Sequence, residues 1–173
     1  MGDFTLRAMH AVGEQAKSSL LSSSGVGASY QASNWGAALS YAQFKSDTGL
    51  PLKAFVGGGN VLVGNAKINL SYGSHNADTT TSLTTKNNTL GVGVTLPLSP
   101  SVDWIATLYQ VKRSRTAAAD DGFNRAVSFL EYKLSKTSRL YAELDYTKWK
   151  TGYQAAGLKS TASGVSFGVM HSF

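Results

Sequence analysis

The chain contains no cysteine, so a disulfide-stapled scaffold and any thiolate metal site are excluded; that composition is compatible with an envelope protein. It also lacks any run of eighteen apolar residues, which excludes a transmembrane helix. The amino terminus, Met-Gly-Asp-Phe-Thr, shows no basic stretch followed by an apolar one, so no secretory signal is visible. An envelope location then implies that a signal was removed or that the chain is a piece of something longer. Basic residues give a formal charge of +6, but apart from Lys112, Arg113 and Arg115 they are spread singly, which argues against a nucleic-acid partner.

Catalytic and metal-binding patterns are missing too. His10, His75 and His171 lack ligand spacing of the His-x-x-x-His kind. No Gly-x-Ser-x-Gly elbow occurs. Gly57-Gly58-Gly59 is followed by a strand rather than a helix and fails as a phosphate cradle. Asp120-Asp121-Gly122 is not followed by the other oxygen ligands of a calcium loop and reads as a solvated turn. The residues thus predict no catalytic group, no metal site and no cofactor.

What the chain has is glycine, 18 residues of it, abundant serine and threonine, and a mean hydropathy near neutral at −0.11. A wall in which only alternate residues are apolar averages to such a value. Strand-like stretches recur near 3–13, 24–32, 35–45, 52–62, 65–74, 87–96, 102–113, 123–134, 139–149 and 161–173. Only 8–21 carries a hint of helical period, and its serines argue for a loop. Tight links at 32–34, 64–65, 97–101 and 135–138 alternate with longer polar ones at 14–23, 46–51, 75–86, 114–122 and 150–160. In an antiparallel up-and-down barrel every second connection shares a rim, so this sorting predicts short turns on one rim and long loops on the other.

Parity assigns faces. Ile68, Leu70 and Tyr72 oppose Lys67, Asn69 and Ser71; Leu140, Ala142, Leu144 and Tyr146 oppose Arg139, Tyr141, Glu143 and Asp145. The last strand sets Val165, Phe167, Val169, His171 and Phe173 against Gly164, Ser166, Gly168, Met170 and Ser172. One face suits hydrocarbon and the other water, the inverse of a soluble barrel. The expected fold is all-β, an antiparallel up-and-down transmembrane barrel in one domain spanning 1–173. Val165, Phe167, Val169, His171 and Phe173 form its membrane-facing terminal strand, with the pattern of an insertion signal. Phe4, Tyr30, Trp35, Tyr132, Tyr146, Trp149 and Phe173 near strand ends suit an interfacial girdle.

The stretch Tyr132-Lys-Leu-Ser-Lys-Thr-Ser-Arg-Leu-Tyr141 resembles the penultimate hairpin of the general porins of Gram-negative bacteria, beta-proteobacterial type, and Gly168-Val-Met-His-Ser-Phe173 is similar to their ending. Weaker likenesses are Phe4 to Glu14 and Gly91 to Pro97. Met170 and Thr137 stand where that family usually has arginine. The resemblance implies sixteen-stranded trimeric barrels of which this chain would supply the carboxyl-terminal ten strands. It implies an outer-membrane location, a water-filled channel for small hydrophilic solutes and ions, and lipid and the barrel-assembly machinery as partners.

Within such a channel, Arg7, Lys67, Lys133 and Arg139 would line the lumen with positive charge and Glu131, Glu143 and Asp145 with negative. Opposed rows of charge would then set a transverse field, although Arg139 and Glu143 alternatively form a same-face pair on one strand. Three other readings stand beside the channel. An outer-membrane barrel enzyme of the omptin kind needs convergent Asp and His near the long-loop rim, where His75 and Asp78 share a loop. A translocator or anchor barrel needs a lumen-threading helix, for which Ala8 to Leu21 is the one candidate. A soluble ligand-binding barrel is the fourth.

Overall fold

The computed structural model describes residues 2–13, 19–150, 152–154 and 157–172, and in it the chain forms ten antiparallel strands in a single sheet. They are β1 (Asp3–Ala11), β2 (Ser23–Gln31), β3 (Trp35–Lys45), β4 (Pro51–Val63), β5 (Ala66–Asp78), β6 (Thr84–Ser99), β7 (Val102–Arg115), β8 (Ala118–Lys133), β9 (Ser138–Trp149) and β10 (Thr161–His171). Spatial order equals sequence order, so every connection is a hairpin. β1 and β10 are the two edges and do not pair with each other.

The turns of one rim are tight, as expected. Ala32 N–H donates to the Trp35 carbonyl at 2.8 Å, Leu134 N–H donates to Ser138 O at 2.9 Å, and Gly64 (φ 62°) takes the left-handed conformation of a two-residue hairpin turn. The opposite rim departs from expectation. β5 runs on to Asp78 and β6 begins at Thr84, while β7 and β8 meet across Thr116 and Ala117 alone. The expected long loops at 75–86 and 114–122 are therefore mostly paired strand. The reason is solvent. Strands β6 and β8 have 16 residues each, about 50 Å at about 3.3 Å per residue, whereas a barrel's apolar band is about 25 Å tall. Beyond that band both faces meet water, so hydropathy stops alternating although the ladder continues.

The inverted faces expected from parity are present. Among the described residues no hydrophobic side chain is buried. Instead Leu6, Leu39, Leu70, Val92, Leu108, Leu144, Val165 and Phe167 all lie exposed on one side of the sheet, Phe167 to 77%. An apolar surface of this extent has no stable place in water and is satisfied by hydrocarbon. Gly57 and Gly59 belong to this side by register and Gly58 to the other, which settles the face of a strand that hydropathy alone leaves unassigned.

Candidate functional site

Directly opposed residues on neighbouring strands point to the same face. One such row on the polar side runs Thr5–Ser29–Ala38–Gly58–Ser71–Gly91–Tyr109–Arg125–Thr147–Ala162 across the whole sheet. Register puts Arg7, Lys67, Glu131, Lys133, Arg139, Glu143 and Asp145 all on this face. The face divides into two unequal halves.

The half built by β1–β6 is nearly bare. Its central positions are Gly27, Ser29, Ala38, Ser40, Gly58, Ser71, Gly91 and Gly93, and Arg7 and Lys67 are its cations. A recess of about 430 Å³ spans five strands from Thr5 and Arg7 on β1 to Ser71 on β5, so the polar face curves inward there. Small side chains keep that concavity open.

The half built by β7–β10 carries the ion pairs. Lys133 Nζ lies 2.7 Å from Asp103, Arg125 Nη2 lies 3.2 Å from Asp145, and Arg139 Nη1 donates to Glu131 at 3.1 Å. Cations and anions are thus interleaved on adjacent strands within this half of the face. Arg139 reaches across to Glu131 on β8, not along its own strand to Glu143, because a diagonal cross-strand neighbour is within reach of a long side chain. Such half-exposed pairs contribute roughly 0–1 kcal/mol each, so their effect is to fix where charge sits. Among the described residues Arg7, Lys67 and Glu143 make no ion pair.

Asp121 was expected in a solvated turn and is instead the most buried side chain described, 2% exposed, on β8. Arg113 grips it through Nε and Nη2, both at 2.7 Å, and Arg115 Nη2 adds a third bond at 2.7 Å. Gly122 beside it has φ 150°, and a Cβ there would collide with the Val111 carbonyl, so the position requires glycine. The same Arg113 donates to the Gly152 carbonyl at 3.1 Å and stacks 4.3 Å from the Tyr153 ring centre; Tyr153 in turn meets Phe123 at 5.2 Å. The β9–β10 connection is therefore fastened by Gly152 and Tyr153 to the polar face at the rim. This clamp stands above the apolar band, where the outward neighbours Lys112 and Asn124 are polar. Hydrogen bonds from Arg113 hold the Asp121 carboxyl below the usual carboxylate range against the opposing effect of desolvation, and the same bonds to Asp121 raise the Arg113 guanidinium.

The sequence reading missed Asp103, Arg113, Arg115, Asp121 and Arg125 as members of this face. Their signal was available: parity within the stretches 102–113 and 123–134 selects Asp103, Arg113 and Arg125, and continued past their ends it selects Arg115 and Asp121. His75 and Asp78, the residues sought for an enzyme, fall on opposite faces of β5, His75 polar and Asp78 outward. No cluster of three metal-ligating side chains occurs among the described residues. Trp149 is paired with Phe123 on the polar face and leaves the expected girdle, whereas Phe4, Tyr30, Trp35, Tyr132 and Tyr146 face outward. Val165, Phe167, Val169 and His171 face outward on β10, and His171 Nδ1 is bonded to Ser138 Oγ at 2.9 Å. Phe173 and Glu14 lie outside the described residues. Ala8 to Ala11 belong to β1, and no helix is present among the described residues up to Leu21.

A family model described as Gram-negative porin matches residues 1–152. Among solved structures, the chain is similar to an anion-selective porin from Comamonas acidovorans, with TM-score 0.81 and 21% identity over 98% of this chain and 56% of that one. It is similar also to OmpT, an outer membrane protein of Vibrio cholerae, with TM-score 0.80 and 16% identity over 97% and 60%. A trimer form of OmpT matches with TM-score 0.69 and 14% identity over 95% and 63%. The chain thus spans less than two thirds of these structures. No curated protein sequence matches it.

Proposed function

The chain belongs to the Gram-negative porin family, and from that premise we propose that it forms part of the wall of a water-filled outer-membrane channel for passive diffusion of small hydrophilic solutes and ions. The observation that carries this reading is the segregation of side chains: among the described residues every ion pair lies on the concave polar face, and the exposed belt of large apolar residues lies on the other. A ten-stranded wall with two unpaired edges is incomplete in lipid, where each backbone group needs a partner, so further strands close the barrel beside β1 and β10. Trimer assembly follows from the same reading, as in the trimer form of one structural neighbour. Val165, Phe167, Val169, His171 and Phe173 are then the strand pattern read by the barrel-assembly machinery.

Selectivity in this channel comes from charges that lack counter-ions. The charges of β7–β10, the unpaired Glu143 included, largely cancel, which leaves Arg7 and Lys67, opposed only by Asp3 at the end of β1, to act on passing ions over the bare half of the wall. A preference for anions is the consequence, the same sense as the Comamonas porin's description. The experiment is planar-bilayer recording of the protein, and stepwise ohmic channels are expected. Replacing both Arg7 and Lys67 by glutamate should reverse the preference toward cations with conductance retained. Silence from a folded barrel would sink the proposal.

The bareness of the wall is testable separately. A Cβ at Gly91 would approach Ser71 Oγ to 2.6 Å and the Tyr109 ring to 3.2 Å. Gly91→Leu is therefore expected to lift Tyr109 off the wall and lower single-channel conductance. Thr95→Leu, on the same strand and face beside Ile105, crowds no glycine-backed ring and should lower it less.

A further inference from the structure

The bare half of the polar face meets its ion-paired half at β6, and the junction holds a recess of about 240 Å³. Its floor is Gly91 and Gly93, consecutive polar-face positions of β6 about 7 Å apart. Its walls come from the two flanking strands, which lie about 10 Å apart across β6. Asn69 and Ser71 on β5 stand opposite the two glycines on one side, Thr107 and Tyr109 on β7 on the other. The space exists because the floor lacks side chains. A Cβ at Gly93 would come within 3.1 Å of Thr107 Oγ1, and one at Gly91 within 2.6 Å of Ser71 Oγ and 3.2 Å of two Tyr109 ring carbons. The Tyr109 ring therefore leans over Gly91, and at 38% exposure it still presents apolar surface to the polar side of the sheet.

Three observations specify the occupant. First, no charged side chain lines the recess. Of the cations nearest in register, Lys67 is one same-face step below Asn69, and Arg125, opposite Tyr109, is engaged 3.2 Å from Asp145. Second, among the described residues Asn69, Ser71 and Thr107 make no side-chain hydrogen bond to the protein, so an amide and two hydroxyls are open to donate and accept. Third, the Tyr109 ring sets an apolar surface directly beside them. An ion finds no partner in such a lining. A purely apolar solute would strip water from three polar groups without replacing its hydrogen bonds. A sugar ring matches both parts, with C–H groups on one side and hydroxyls around its edge.

We infer that this recess is a binding subsite for one pyranose ring of a neutral saccharide: the C–H side of the sugar against Tyr109, its hydroxyls to Asn69, Ser71 and Thr107, and its body in the space over Gly91 and Gly93. The inference rests on the reading of the polar face as a lumen wall and names a solute class for it. The wall also suits a chain longer than one ring. Ile105 lines the recess on its short-turn side and is directly opposed to Phe129 on β8. Phe129 stacks on Tyr141 with 5.1 Å between ring centres and 18° between planes. This second aromatic platform lies two same-face steps from Tyr109, about 14 Å along the wall, so a saccharide of three rings reaches both.

The test uses maltotriose and cellotriose as neutral probes, and poly(ethylene glycol) of the same mass as a polar control without the ring. Saturation-transfer NMR on the protein folded in detergent micelles measures affinity. At least one trisaccharide should bind saturably, the glycol should not, and affinity should be the same at low and high salt because no charge lines the recess. Tyr109→Leu should weaken binding about tenfold, Thr107→Val about fivefold and Tyr109→Phe by less than about threefold. Gly93→Val, which fills the floor and leaves the ring in place, should weaken it at least as much as Tyr109→Leu. Heat-modifiability on gels establishes that each variant is folded; should Tyr109→Leu not fold, Gly93→Val and Thr107→Val carry the same test. Failure of both trisaccharides to bind, equal binding of the glycol, affinity that falls with salt, or unchanged affinity in folded Tyr109→Leu or Gly93→Val would overturn the subsite. Planar-bilayer recording separates the two proposals. Ohmic channels from a protein that binds neither trisaccharide would defeat the subsite alone, and saccharide binding by a protein silent in bilayers would defeat the diffusion reading alone.

Discussion

Asp121→Ala is expected to free the β9–β10 connection from the rim and to destabilise the protein by about 2 kcal/mol. Removing one partner of a buried ion pair costs about 3–5 kcal/mol where no water reaches the survivor. Here the figure is lower because the Arg113 and Arg115 side chains are 24% and 36% exposed and can rehydrate. The effect remains large for a single rim residue. One carboxylate bridges two guanidiniums, and its loss leaves them adjacent with like charge and nothing between them. Arg113 would then turn toward water and release the Tyr153 ring and the Gly152 carbonyl together. Denaturant unfolding should report the stability change, and Trp149 emission should report the rim, since Trp149 is opposed to Phe123, the ring that Tyr153 packs on. Acid should imitate the substitution. The folded Asp121 pKa is depressed, so the clamp's contribution is complete above the ordinary carboxylate value of about 3.9 and is lost only as pH falls through the lower folded value. Wild-type emission should therefore hold steady through the ordinary carboxylate range and change below it. A midpoint at or above the ordinary value would show that Arg113 does not grip the carboxylate as described.

The same residue shows where sequence legibility ended. Within the apolar band, each strand declares itself by alternation, and β3 was bounded at Trp35–Lys45 from sequence and structure alike. Past the band the hydropathy of both faces converges, so Asp120-Asp121-Gly122 looked like a turn, and β5, β6, β7 and β8 were cut short at that rim. What extends these strands is backbone pairing, as in Arg113 opposite Asp121, which leaves no mark in hydropathy. Face assignment was more robust than length. Arg7, Lys67, Glu131, Lys133, Arg139, Glu143 and Asp145 all share one face because parity survives an error of two residues in a strand's end. Pairing was not legible, since the choice of Glu131 over Glu143 by Arg139 depends on the inter-strand register, which one strand's sequence does not contain.

Leu70 and Ser71 give the sharpest test of the inverted faces, because they are consecutive on β5 and point to opposite solvents. Leu70 is 55% exposed on the apolar side, between Gly59 on β4 and Val92 on β6. Arginine at that position places a guanidinium in hydrocarbon near mid-strand, and the expected cost is about 2–4 kcal/mol. Ser71 sits in the bare row between Gly58 and Gly91 on the polar side, where an added side chain meets only small neighbours. Ser71→Arg should leave unfolding within about 0.5 kcal/mol of wild type while narrowing the lumen and strengthening anion preference. A soluble barrel predicts the same order, with Ser71→Arg harmless on the outside and Leu70→Arg inserted into a packed interior, but there both would be insensitive to lipid. The decisive comparison is therefore unfolding in bilayers of increasing hydrocarbon thickness. The Leu70→Arg penalty should grow as the bilayer thickens, because the guanidinium has farther to reach an interface, and the Ser71→Arg difference should not change. A Leu70→Arg penalty independent of thickness would mean that this face does not meet lipid.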